Sequence, residues 1–309
     1  MNLLKPNFWD KNRISYISIF LYPVTVFIKI LFFLKRTFTK KYSCNIPVIC
    51  VGNIYLGGTG KTPLCIEMFS ILSQLNMNPS FIRKKYDSFK DESLLQKKVG
   101  SLFEHRRRIV AIRSAIKTGI NIAILDDGFQ DFSIKKDLSI LCFNEKQWLG
   151  NGLTIPSGPL RESISALNRA NYVVINGNKN IEIENQILKN NKDIKIFYTK
   201  YIPINIDDYK NKKIISFAGI GNPDNFFDLL KENNLNILDQ IYFADHHHYS
   251  GLELNNLIEK SEKNNAILLT TEKDYMRLDE KYKQKIKYLK IRSQIHDREK
   301  FVEEIKKYI

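Results

Sequence analysis

Residues 46–63 read IPVICVGNIYLGGTGKTP. The apolar run Ile46 to Val51 leads into a glycine-rich turn. The turn leads into a helix-compatible pattern carried by Leu64, Ile66, Met68, Phe69 and Leu72. Strand, glycine loop and helix, in that order, are the setting a phosphate-binding loop needs. Gly57, Gly58 and Gly60 let the backbone take positive φ and approach a ligand closely, so that successive N–H groups point at one anion. The helix behind the loop adds its positive N-terminal end. Lys61 is placed to neutralise terminal phosphates and the Thr62 hydroxyl to coordinate Mg²⁺. The strict G-x-x-x-x-G-K-[ST] pattern has glycine where this chain has Tyr55. The octet Tyr55, Leu56, Gly57, Gly58, Thr59, Gly60, Lys61 and Thr62 still keeps the glycines nearest a phosphate, and we read it as a nucleoside triphosphate site binding ATP.

The partner of this loop lies further along, in INIAILDDGFQ at 120–130. Ile120 to Leu125 form a partly β-branched run suited to a buried parallel strand, with Asp126 and Asp127 at its C-terminal end. Ligands gather at that edge of open α/β sheets. Paired aspartates in isolation are ordinary turn formers, but behind Lys61 and Thr62 they match the acids that hold Mg²⁺ directly or through water.

The wider chain agrees with a folded enzyme. Its 309 residues suffice for two domains with cores of their own, and 43% hydrophobic with 12% aromatic residues argue against disorder. Cys44, Cys50, Cys65 and Cys142 show no C-x-x-C spacing, which points to a reduced compartment without a disulfide framework. A net charge of +15 favours anionic partners, discounted because Lys, Asn and Ile are abundant throughout. No basic patch interleaved with aromatics and no recognition motif supports nucleic acid.

The N-terminus directs that charge toward a membrane surface. Ile14 to Leu34 reads ISYISIFLYPVTVFIKILFFL, about long enough for a ~30 Å hydrocarbon core although Pro23 and Lys29 interrupt it. Lys5, Lys11 and Arg13 precede it and Lys35, Arg36, Lys40 and Lys41 follow, so both flanks favour the cytoplasmic face. We expect a helix in the interface or a hairpin kinked at Pro23, set against the plainer reading of a buried core helix.

Strand-like runs at 46–51, 121–125, 138–143, 172–175, 214–218 and 266–270 alternate with helix-like patterns. The expected fold class is α/β: a P-loop NTPase-type parallel sheet with a second, smaller α/β lobe and an N-terminal membrane-associated helix. The expected domains are 1–42, 43–205 and 206–309. FAGIGNP at 217–223 reads as a strand-to-helix turn of the second lobe, and the polar run at 179–195 as a solvated connection or helix. RRR at 106–108 reads as a solvated or phosphate-facing helix edge.

Five blocks in order, VGNIYLGGTGKT, LDDGFQ, GNGLTIPSGPLRES at 150–163, ADHHHYS at 244–250 and TTEKD at 270–274, resemble the tetraacyldisaccharide 4'-kinase family of the lipid A pathway over nearly the whole chain. The resemblance implies transfer of the γ-phosphate of ATP to the 4'-hydroxyl of an acylated glucosamine disaccharide 1-phosphate at the cytoplasmic face of the inner membrane. It implies that Glu162 joins Asp126, Asp127 and Thr62 on the metal side, and that Arg161 lies near the phosphates. It also implies a catalytic pair, Asp91 of KDES and His246 beside Asp245, and with a lobe boundary near residue 205 we expect the two to approach each other across a cleft between the lobes. The chain departs from the family in one place: FIRKKYDS is followed almost at once by FKDES, with Lys90 and Ser93 where the family has glycine and proline.

Consecutive histidines do not face one way, so His246, His247 and His248 do not share one metal easily. We expect His247 and His248 to be exposed loop residues. A glycine loop with histidines also occurs in metal-insertion NTPases acting on a protein partner, and that is the rival reading.

Overall fold

The computed structural model describes residues 6–9, 14–85 and 90–309. Lys5, Lys11, Arg13 and the 86–89 part of the shortened segment lie outside the described residues. Among those residues the strands are β1 (Val48–Gly52), β2 (Pro79–Lys84), β3 (Leu102–His105), β4 (Ile122–Asp126), β5 (Leu138–Asn144), β6 (Tyr172–Asn176), β7 (Lys195–Pro203), β8 (Lys213–Ala218), β9 (Asn236–Tyr242), β10 (Ile267–Thr271), β11 (Ile286–Leu289) and β12 (Ile291–Ile295). They form two sheets, ordered β12-β7-β6-β5-β1-β4-β2-β3 and β11-β10-β8-β9. The pairs of β1 with β4 and β5, β2 with β3 and β4, and β6 with β5 and β7 are parallel, as are all three pairings of the small sheet. The α/β class expected from the alternating runs is the class observed.

The chain divides into two units. The larger holds the described residues up to 85 with Val99–Lys200 and Ser293–Ile309, and the smaller holds 90–98 with Tyr201–Arg292. This differs from a lobe running 206–309. The C-terminal helix Arg298–Lys306 returns to the larger unit, where the Phe301 ring meets Phe197 at 4.9 Å and Tyr172 at 6.5 Å. Conversely, the helix Lys90–Val99 gives its residues up to 98 to the smaller unit. Both placements depend on side-chain complementarity between segments distant in the chain, which no local pattern records.

Strand alternation sorts the larger core into two layers. Val48, Cys50, Ala123 and Leu125 pack on one face with Ala111, Ile112 and Ala115 of the helix Arg108–Lys117. Ile49, Val51, Ile122 and Ile124 pack on the other with Leu64, Cys65, Met68 and Ile71 of the helix Lys61–Gln74. Strands covered on both faces are continuous hydrophobic runs, as β1 and β4 are. In the small sheet Ile214 and Ala218 join Phe227 and Leu230, while Ile215 and Phe217 join Leu254, Leu257 and Ile258.

The N-terminal segment is one continuous helix, Tyr16–Phe38, that passes through Pro23 without turning back, so the hairpin expectation is corrected. At 1.5 Å per residue it is about 34 Å long. Its amphipathicity is inverted: the buried positions are Ser18 and Thr25. The Thr25 hydroxyl donates to the Thr154 carbonyl at 3.2 Å and shares a 2.8 Å hydrogen bond with Ser157, and Ser18 accepts from Asn151 Nδ2 at 3.3 Å. The apolar side chains face outward, Tyr16 at 92% and Phe20 at 82% exposure among them. A core helix would show the reverse. One apolar helix of this length points to membrane association.

Candidate active site

The larger unit carries the phosphate loop. β1 ends at Gly52, the loop turns through Gly57 (φ 138°) and Gly60 (φ 89°), and Lys61 opens the helix that follows. Positive φ at both positions is why glycine stands there. Asn53, a residue the sequence reading passed over, braces the turn from inside. Its Nδ2 donates to the Tyr55 carbonyl at 2.6 Å, to Thr59 Oγ1 at 2.9 Å and to the Gly57 carbonyl at 3.4 Å. Asn53, Tyr55, Thr59 and Thr62 are buried and Leu56 is exposed. Tyr55, the departure from strict glycine, is accommodated because its ring enters the core and its backbone pairs with Leu160.

The segment 159–162 is laid along this loop by backbone hydrogen bonds, Leu56 N–H to the Pro159 carbonyl at 2.8 Å and Arg161 N–H to the Ile54 carbonyl at 2.6 Å. Arg161 Nη1 then donates to both Asp127 oxygens at 2.8 and 2.9 Å, and Lys61 Nζ lies 3.8 Å from Asp127 Oδ1. Burial pushes the Asp127 carboxyl up, but the charges of Lys61 and Arg161 outweigh it and hold it below the usual carboxylate value. Asp127 sits at φ 54°, just past β4, where Asp tolerates the left-handed region. Lys61, Asp127 and Arg161 are thus brought together beside the loop.

Asp126 and Glu162 take other partners. Asp126 is bonded by Arg83 at 2.9 Å. Glu162 is ion-paired with Arg169 and accepts from Gln130 Nε2 at 3.0 Å, the same amide that donates to the Asn53 carbonyl at 2.9 Å. Arg108, expected at a solvated or phosphate-facing edge, is instead buried. It donates to the Asp126 and Asp127 carbonyls at 3.2 and 2.8 Å and to Asp131 at 3.2 Å, so it fixes the acidic turn from behind. Arg106 and Arg107 are the exposed members of that run. Arg83 carried no signal in the sequence and Arg108 stood out only as the last of three consecutive arginines, and a buried arginine is permitted only by a partner.

Thr62, Asp126, Asp127 and Glu162 are hard oxygen donors of the kind Mg²⁺ selects. No group of three His, Cys, Asp or Glu converges into a cage among the described residues.

The smaller unit holds the other expected pair. Asp91 opens the helix Lys90–Val99 and is 1% exposed; His246 lies in the turn after β9. His246 Nδ1 is 3.3 Å from Asp91 Oδ2, while Nε2 lies 3.4 Å from Lys273 Nζ and 3.7 Å from Asp245. Both residues belong to one unit, which corrects the expectation that they come from different lobes. Lys273, the lysine of TTEKD, is 3.1 Å from Glu92 and 3.9 Å from Asp91 and Asp245, and Arg277 Nε is 3.7 Å from Asp91. Burial pushes the Asp91 carboxyl up, yet the His246 hydrogen bond and the Lys273 charge prevail and lower it. Burial works against the Lys273 charge, but Glu92, Asp245 and Asp91 together raise its pKa.

His247 differs from the exposed loop residue expected. Its ring packs on Phe243 at 4.7 Å and Tyr249 at 5.0 Å, and its Nε2 is 3.1 Å from Glu253. His248 is exposed. The FAGIGNP turn joins β8 to the helix Pro223–Glu232, as read.

Residues 17–309 match the model of the family described as Tetraacyldisaccharide-1-P 4'-kinase. A tetraacyldisaccharide 4'-kinase of Pelagibacter ubique is 44% identical over 300 residues, 96% of this chain and 95% of that protein. One from Rickettsia bellii is 34% identical over 90% of each chain. The fold is similar to the crystal structure of LpxK from Aquifex aeolicus in complex with ATP, with a TM-score of 0.74, 21% identity and coverage of 94% of this chain and 99% of that one. The family match supports the kinase reading over the metal-insertion alternative. A chain that pairs a phosphate loop with an apolar N-terminal helix and matches this model over residues 17–309 belongs to the tetraacyldisaccharide 4'-kinase family.

Proposed function

We propose that this kinase transfers the γ-phosphate of ATP to the 4'-hydroxyl of an acylated glucosamine disaccharide 1-phosphate at the cytoplasmic face of the inner membrane. The observation that carries the proposal is the convergence of Lys61 and Arg161 on Asp127 beside the glycine loop. Two cations held ready by a carboxylate are placed to take up phosphate oxygens, while the loop amides and the helix N-terminus supply fixed dipoles. In this reading Thr62, Asp126, Asp127 and Glu162 are the side chains that hold Mg²⁺. When bound, that ion neutralises charge on the β- and γ-phosphate oxygens.

The acceptor needs a base, because a sugar hydroxyl is a poor nucleophile at neutral pH. Asp91, kept ionised by its surroundings, orients and polarises the His246 imidazole, and the pair takes up the hydroxyl proton as the phosphoryl group arrives. The outward apolar face of the helix Tyr16–Phe38 keeps the enzyme where an acylated acceptor resides. Incubation with labelled ATP, Mg²⁺ and the acylated disaccharide 1-phosphate in detergent should give a 4'-phosphorylated product. ATP turnover without label on the lipid would sink the proposal.

A further inference from the structure

The pair Asp91–His246 is held by a frame built on one glycine. Gly219 follows β8 in the FAGIGNP turn. Its N–H donates to both Asp274 oxygens, at 3.2 and 3.1 Å. Its carbonyl accepts from two sides, the His246 N–H at 3.1 Å and Arg277 Nη2 at 2.8 Å. Arg277 also bonds Asp274 through Nη2 and the His247 carbonyl through Nη1 at 3.4 Å, and its Nε is 3.7 Å from Asp91. Asp274 is fully buried and is saturated by Tyr249 Oη at 2.7 Å and Thr271 Oγ1 at 2.6 Å.

We infer that Asp274, Arg277 and Gly219 are positioning residues that hold the Asp91 carboxylate and the His246 ring in register. His246 sits at φ 56°, a left-handed conformation that strains a non-glycine residue and persists only where its surroundings enforce it. The bond from its N–H to the Gly219 carbonyl is one such constraint. The same carbonyl anchors the guanidinium that lies against Asp91, so one backbone atom ties both members of the pair. A Cβ at Gly219 would stand 2.8 Å from Tyr249 Oη, 3.1 Å from the Ala244 carbonyl and 3.3 Å from Asp274 Oδ1, which leaves no room for a side chain. The inference rests on the proposed role of Asp91 and His246.

The test uses the full chain in detergent with ATP, Mg²⁺ and the lipid acceptor, and compares Asp274→Asn, Arg277→Ala, Arg277→Lys and His246→Ala. Misplacing a reacting group by about 1 Å costs on the order of 10²-fold. Asp274→Asn and Arg277→Ala should therefore lose about that factor in kcat while KM for ATP changes less than about twofold. Asp91 is faced by His246, Lys273, Arg277 and Glu92, and His246 by Asp91, Asp245 and Lys273. Removing the Arg277 charge should move the acid limb of the kcat–pH profile to higher pH. Added guanidinium should restore part of the Arg277→Ala rate. If Asp274→Asn does not fold, Arg277→Lys carries the comparison: it keeps the charge and loses the fork, so its kcat should fall with less movement of the acid limb. Wild-type kcat and pH profile in the Asp274 and Arg277 variants, beside an inactive His246→Ala, would overturn the clamp and leave the pair standing. A loss in Arg277→Ala that guanidinium does not rescue and that follows a lowered Tm would reduce the frame to a structural one. An active His246→Ala would remove the pair itself and the clamp with it.

Discussion

The phosphate loop and the Asp91–His246 pair are two parts of one proposed reaction, built in opposite ways. The loop is contiguous: its donors are backbone amides and a helix end, and the residues that shape it are neighbours in the chain. The pair is assembled from a helix after β2 and a turn after β9, and its ligating atoms belong to side chains. A backbone site survives substitution around it so long as the glycines keep their φ. A side-chain site depends on every residue that aims it, and those are the residues local sequence does not reveal.

The contrast has one exception inside the loop, its single cationic side chain, and the largest single loss should come from there. Lys61→Ala should lower kcat/KM by at least about 10²-fold, because it removes charge stabilisation where phosphoryl charge develops. Near-normal turnover in a steady-state assay would remove Lys61 from the phosphate site.

Next in size is the pair. Asp91→Ala and His246→Ala should each slow the chemical step by about 10²-fold, the range of general-base contributions. The double variant should be little worse than the weaker single, with ATP binding by calorimetry unchanged in all three. Fully multiplicative losses would mean that the two side chains act independently.

A smaller effect belongs to the brace inside the loop. Asn53→Ala deletes three hydrogen bonds from a buried side chain. It should weaken ATP binding by about 10-fold, the equivalent of about 1.4 kcal/mol. An unchanged Kd for ATP would show that the glycines alone hold the loop.

Outside both sites, placing aspartate at Phe20 and Phe27 on the outward face of the N-terminal helix should reduce vesicle partitioning by about 10-fold or more, since each buried Phe contributes about 1.5–3 kcal/mol. Partitioning equal to wild type in a flotation assay would separate this helix from the membrane.

The mildest expectation concerns acid. Asp91 and Asp127 have carboxyl pKa values lowered from 3.8, so their contribution to stability is complete above that ordinary value and is lost as pH falls through the lower folded values. Thermal melts from pH 6 down to pH 3 should show Tm falling at the acid end, less steeply in Asp91→Asn. Parallel curves would mean that the ion pairs of Asp91 contribute nothing measurable.

How much was legible follows the range of the interactions. β1, β4, β5, β6, β8 and β10 were readable because strands buried on both faces are continuous apolar runs bounded by turns. β9, with alternating exposure, and the short β3 and β11 were not, since their pattern is shared with loops and helices. Asp126, Asp127, Lys61 and Thr62 could be named from spacing because strand, loop and helix fix their positions locally. Asn53, Arg83, Arg108, Arg277 and Asp274 could not, because a buried polar residue is recognised by its partner and the partner is distant in the chain.

By itself, then, the sequence determined the parallel α/β class, the phosphate loop with its acidic partner, and an apolar N-terminal helix, all of which follow from backbone geometry and short-range periodicity. Only the tertiary structure decided that the residues around Asp91 join the smaller unit, that the C-terminal helix returns to the larger one, and that the N-terminal helix turns its two buried polar residues inward. The reason is physical. Burial of apolar side chains is non-directional and does not name its partner, whereas hydrogen bonds and ion pairs need atoms within about 3 Å, so which distant segments meet is settled only when the whole chain packs.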